Sequence, residues 1–139
     1  MRVAEPLAQS WKASLALGFS FDQGSFQSRE AQPKDPEKRM LMAFTASPAP
    51  AESIDWYLAQ TGVKTFVVDF RTPGKNSELA EWLSATHPMR MIGSIYAPSG
   101  ERTSFAPTTI DRQYDGLFFV SATARARPNP SVKNVAQQQ

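Results

Sequence analysis

The 139-residue sequence predicts an α/β fold: a mixed, largely parallel sheet covered by helices, with an N-terminal helix, a β-hairpin and a disordered C-terminal tail. Three observations carry this. Short apolar segments with strand periodicity alternate with helix-length segments beyond residue 40, which favours parallel pairing through crossover helices. Thr65 to Phe70 is almost continuously apolar, as in a strand covered on both faces. From Ala122 onward the apolar pattern stops, leaving Val132 and Val135 as the sizeable apolar residues. That is too little to offset an ordering cost of about 1–2 kcal/mol per residue. The chain therefore divides into a partial α/β domain over 1–121 and a flexible tail over 122–139.

Taken in order, Leu7, Trp11 and Leu15 recur at helical spacing behind Pro6, so Pro6 to Leu17 reads as an amphipathic helix. Leu17, Phe19 and Phe21 then alternate with Gly18, Ser20 and Asp22, and Asp22-Gln23-Gly24 offers turn formers for a hairpin returning through Ser25 to Ser28. Between Arg29 and Arg39, seven charges and two prolines form a solvated connection. Met40 to Phe44 is a strand, and Ile54 to Thr61 a helix with Ser53 as N-cap and Gly62 as stop. Its inner face would be Ile54, Tyr57, Leu58 and Thr61. Thr65 to Phe70 takes the middle of the sheet. Asn76 caps a helix that turns Leu79, Trp82 and Leu83 inward, Met89 to Tyr96 is another strand, and Gly116 to Val120 the last.

Composition narrows the chemistry. With 41% hydrophobic and 11% aromatic residues the chain can build a core, and its apolar runs are too short to cross a bilayer as a helix. The net charge of +2 comes largely from Arg125, Arg127 and Lys133 on a nearly neutral body. That density, without aromatic residues to stack on bases, excludes a nucleic-acid footprint. Cysteine is absent and His87 is the only histidine, which removes thiol nucleophiles, Cys-rich zinc sites and two-histidine mechanisms. No metal site is expected from this ligand inventory, and no cofactor, since neither phosphate-loop glycine pattern occurs. No secretory signal is visible, which favours the cytoplasm, although a cysteine-free chain suits either redox environment.

Each polar feature has a structural reading beside a chemical one. Gly18-Phe19-Ser20-Phe21-Asp22 approaches the G-x-S-x-G nucleophile elbow, but Asp22 stands where a glycine would let a helix pack, and Ser20 lies in an alternating strand. His87 precedes Pro88 and has no second base nearby, so it reads as a solvated loop residue. Glu78 and Glu81 share a helix surface and read as exposed charges. Asp69 and Arg71 carry more weight, because the C-terminal end of a central strand faces the crevice where open sheets bind ligands; a local ion pair is the alternative.

The segments GFSFDQGSF, PAESIDWYLAQTG, VVDFR, WLSATHPMRMIGSIYAP and YDGLFFVSATARARP, in that order, resemble the C-terminal part of the erythromycin esterase family over about Met1 to Pro128. The resemblance implies a carboxylic-ester hydrolase that opens a macrolide lactone, and so confers antibiotic resistance, with an activated water; some relatives are associated with polysaccharide biosynthesis. The family's catalytic histidines and glutamate belong to motifs upstream of the matched region, so no catalytic residue is assigned. What carries over are Gly18, Phe19, Gly24, Asp69, Arg71, Arg90, Gly93, Tyr96, Pro98 and Asp115, in structural or pocket-lining roles. Phe19, Phe21, Arg71, Arg90 and Tyr96 are the residues expected to border substrate. The implied partners are a small-molecule ester in the complete enzyme and either a missing N-terminal half or a second copy. A stand-alone α/β binding or scaffold module is the competing reading, and an exposed apolar patch would support it.

Overall fold

A computed structural model describes residues 14–31, 41–71, 77–97, 101 and 103–127. The helix expected over Pro6 to Leu17 lies outside these residues except at its end, where Leu17 opens a strand. The cap at Asn76, most of the charged connection and the tail beyond Arg127 also lie outside them. Among the described residues no helix is long and apolar enough to cross a membrane.

The architecture is α/β with a mixed sheet. In chain order the elements are β1 (Leu17–Glu30), β2 (Leu41–Ala46), α1 (Ile54–Ala59), β3 (Thr65–Asp69), α2 (Ser77–Ser84), β4 (Thr86–Arg90), β5 (Ile95–Tyr96), β6 (Phe105–Thr109), α3 (Ile110–Gln113) and β7 (Gly116–Thr123). The main sheet runs β2-β1-β7-β3, with β5 also pairing β1. Its β1–β7 and β1–β5 pairings are parallel, and β1–β2 and β3–β7 antiparallel. β4 and β6 form a separate antiparallel pair.

The expected hairpin is replaced by a single long strand. β1 pairs β7 from Leu17 to Gly24 and then β2 from Gly24 to Arg29, so Gly24 is where the strand changes partners. The turn-like residues serve other ends. Gly24 has φ +122°, and a Cβ there would run into the Thr123 backbone. Asp22 accepts the Ala49 N–H at 2.9 Å, tying β1 to the loop ahead of α1.

Two further expectations are corrected. Thr65 to Phe70 is not central, since β3 ends the sheet path. Met89 to Tyr96 is two strands in two sheets. The Arg90 N–H is committed to Asp55 at 2.8 Å, after which the chain leaves β4 and its Gly93 carbonyl accepts the Ser28 hydroxyl. β6 and α3 were not anticipated.

The α1 cap is as expected: the Ser53 hydroxyl accepts the Trp56 N–H at 3.2 Å, and Gly62 takes a left-handed φ of +71° beyond the helix. The core joins Ile54 of α1, Leu83 of α2, Met89 of β4, Ile110 of α3 and Leu117 of β7, with Leu58, Val68, Phe70, Trp82 and Tyr114 around them. Tyr57, expected on the inner face of α1, is exposed, while Asp55 is buried.

The pleat sorts the sheet into two faces. Gly18, Leu117 and Val68 form one cross-strand row, and Ser20, Phe119 and Phe66 the next; these face the helices, and Ser20, Leu117 and Phe119 are buried. On the opposite face Phe19, Phe118 and Val67 form a row that is 54%, 39% and 59% exposed, beside Leu17. The face of β1 carrying Leu17 and Phe19 therefore opens outward, and the face carrying Ser20 turns inward.

Candidate functional site

Two polar arrangements differ in depth. The deeper begins at Ser20, whose hydroxyl donates to Asp55 Oδ1 at 2.6 Å; Asp55 Oδ2 accepts the Arg90 N–H. Three elements, β1, α1 and β4, thus meet at one carboxylate. Burial pushes the Asp55 carboxyl above its ordinary value of 3.8, against the lowering effect of the Ser20 and Arg90 hydrogen bonds and the Arg90 charge. A serine and an aspartate in contact suggest nucleophile activation, but Ser20 is fully buried and no imidazole lies between them. The contact serves the packing of α1 on the sheet.

Arg90 is 4% exposed and continues the network. Its Nη2 donates to the Ser47 carbonyl at 2.8 Å and the Asp22 carbonyl at 3.0 Å, and its Nη1 reaches Glu101 Oε1 at 3.4 Å. The guanidinium carbon lies 4.7 Å from the Phe105 ring centroid and 5.2 Å from that of Phe21. Glu101 also accepts the Ser47 N–H at 2.8 Å. One side chain therefore braces β1, the loop before α1 and the region of Glu101; a lysine, with one nitrogen, could not serve the two carbonyls at Nη2 and Glu101 at Nη1 together. Arg90 Nε has no partner among the described residues. Beside this cluster Pro48, Pro50, Glu101 and Phe105 line a cavity of about 120 Å³. Ligand pockets usually exceed roughly 300 Å³, so this cavity alone does not enclose a macrolide-sized ester.

The shallower arrangement is the Asp69–Arg71 pair at the end of β3. Arg71 Nε donates to Asp69 Oδ1 at 2.9 Å, and both side chains are more than half exposed. The Arg71 guanidinium holds the Asp69 carboxyl down to about 2. Solvent screens such a pair, and its main effect is to fix the turn leaving the strand.

The five residues expected to border substrate are thus dispersed. Phe21, Arg90 and Tyr96 are buried, with Tyr96 edge-on to Phe26 at 4.9 Å; Phe19 lies on the open face and Arg71 at the surface. Arg90 pairs with Glu101 and carbonyls, not with Asp69 or Asp115. Asp115 instead accepts the Ala16 N–H at 2.7 Å. His87 is not a solvated loop residue: it lies in β4, stacks on Trp82 at 4.4 Å and places Nε2 3.0 Å from the Trp82 carbonyl. Glu78 and Glu81 occupy exposed surface of α2. No group of three metal-ligating side chains occurs among the described residues.

Asp55, the centre of the buried network, was missed. An aspartate just after an N-cap serine reads as a helix-dipole partner in solvent, and no local signal separates that from a buried acceptor.

Two solved structures share this fold. A protein of Bacillus cereus superposes with a TM-score of 0.68 at 16% identity, over 86% of this chain and 28% of its own. A succinoglycan biosynthesis protein does so with a TM-score of 0.64 at 19% identity, over 88% and 26%. The chain thus spans little more than a quarter of either structure. No curated protein sequence matches it. The erythromycin esterase family model matches residues 8–123, most of the chain, and the chain belongs to the erythromycin esterase family.

Proposed function

We propose that this chain is the C-terminal part of an erythromycin-esterase-like hydrolase, which in complete form would hydrolyse a carboxylic ester such as a macrolide lactone with an activated water. The observation that carries this reading is the exposed apolar face of the sheet. Among the described residues helices cover one face, while the other presents Leu17, Phe19, Phe118 and Val67 to solvent, and in the two solved structures above the matched part is about a quarter of the molecule. The chain would supply part of the sheet and one wall of the cleft. Phe19, on the open face, and Arg71, at the end of β3, are its residues best placed to reach a substrate. Arg90, Phe21 and Tyr96 would support that wall from within.

Alone the chain should not hydrolyse esters, since a general base poised near neutral pH has to be supplied and His87 is engaged with Trp82. The test is release of acid from erythromycin and from a simple activated ester by the purified chain. No rate above buffer is expected. Turnover that survives His87→Ala would reveal another site, and turnover abolished by it would make His87 the base.

The open apolar row also suits a binding or scaffold module without catalysis. A monomeric chain that unfolds cooperatively and buries this row against a specific ligand would favour that reading.

A further inference from the structure

We infer that β3 is a self-pairing edge, through which two copies of this chain join their sheets about a two-fold axis centred on Val67. The inference concerns the 139-residue chain itself and goes beyond its family assignment. The bonds from the Phe70 N–H to the Asp115 carbonyl and from the Ser121 N–H to the Lys64 carbonyl fix which residues of β3 face β7. By antiparallel alternation the even-numbered residues bond to β7, so Thr65, Val67 and Asp69 point their backbone groups away from it. Among the described residues no strand pairs on that side.

Edge strands are usually blunted by proline, a bulge or a central charge. The interior of β3, Phe66-Val67-Val68, has none of these. Antiparallel pairing of two copies in the register that sets Val67 against Val67 also sets Thr65 against Asp69 and Phe66 against Val68. Every outward N–H and carbonyl of those three residues then has a partner, and no like charges face each other. The contact is self-complementary, as a two-fold interface requires. It extends the Phe19–Phe118–Val67 row across both copies without covering it.

The test combines analytical ultracentrifugation with residue-resolved amide exchange on the intact chain. A concentration-dependent dimer is expected, in which the Val67 amide exchanges at least about tenfold more slowly than in the dilute monomer, because its opening now requires dissociation. The Val68 amide, already bonded to β7, should be slow in both. Val67→Lys, at an exposed position, should raise the dimer dissociation constant about 100-fold or more by placing two like charges opposite each other, with circular dichroism unchanged. Phe19→Ser, on the face and away from the edge, should leave the dimer intact. A monomer at all concentrations, a dimer whose Val67 amide exchanges freely, or a dimer dissolved by Phe19→Ser but not by Val67→Lys would overturn the inference. Should Val67→Lys fail to fold, the exchange pattern of the unsubstituted chain decides alone. A monomer that still binds a hydrophobic dye would sink the self-pairing while leaving the family reading in place.

Discussion

The two faces of one sheet carry similar aromatic residues in opposite circumstances. Phe118 and Phe119 are neighbours on β7, yet Phe119 is sealed beneath the helices against Phe66 at 5.1 Å, while Phe118 stacks on Phe19 at 5.8 Å in the open. A phenylalanine stabilises the chain only where something covers it. The polar residues repeat the contrast: Arg90 is enclosed and holds elements together, whereas Arg71 forms a tighter ion pair at the surface with little to brace.

The largest predicted effects lie on the closed side. Phe119→Ala should destabilise by about 3–5 kcal/mol in urea unfolding, through lost burial and the cavity left behind. Phe118→Ala, one residue away, should lose only about 1 kcal/mol, because much of its ring never leaves water. Comparable losses at the two positions would mean that the open face is covered in solution.

Arg90→Ala should also destabilise strongly, by about 3–5 kcal/mol, since the Asp22 and Ser47 carbonyls and Glu101 lose their shared donor. Arg90→Lys should fall between. Arg71→Ala should lower the unfolding midpoint only slightly, because solvent screens the pair it leaves. A midpoint shift for Arg71→Ala as large as that for Arg90→Ala would break the contrast. Gly24→Ala sits between these extremes, at about 1–3 kcal/mol, because the new methyl meets the Thr123 backbone in a φ region that L residues avoid.

The smallest effects concern pH, and the two aspartates should move in opposite directions. The Asp55 carboxyl is raised in the folded state, so its contribution to stability is fully present below 3.8 and is lost as pH rises through the folded value. Asp69 is lowered to about 2, so its contribution is present above 3.8 and lost as pH falls toward 2. Unfolding free energies of Asp55→Asn and Asp69→Asn, each compared with the unsubstituted chain across acid pH, should therefore diverge with opposite slopes. Parallel slopes would show that burial does not govern Asp55.

What was legible in the sequence was mostly local. The Ser53 cap, β2, β7 and the inward Leu83 follow from side-chain chemistry and periodicity within a few residues. Relations between distant segments were not legible. The alternation of Leu17 to Asp22 shows that two faces exist but not which one is covered, because the Ser20 hydroxyl is held inward by an aspartate 35 residues away. Asp22-Gln23-Gly24 has the composition of a turn because glycine serves a close backbone approach as readily as a chain reversal. Thr65 to Phe70 has the composition of a central strand, and composition records how much cover a strand needs, not which chain provides it. Arg90 was singled out as a cleft arginine; its donors are instead taken by carbonyls of β1 and of the loop before α1, which no pattern pairs with it.

The most direct test of a sheet finished on one side is titration of the folded chain with a hydrophobic fluorescent dye, compared with the Phe19→Ser/Phe118→Ser double variant at equal circular dichroism. The unsubstituted chain should bind dye while unfolding cooperatively, and the double variant should lose most of that binding with only a small change in stability. A monodisperse chain that binds no dye, or binding unchanged in the double variant, would contradict the account.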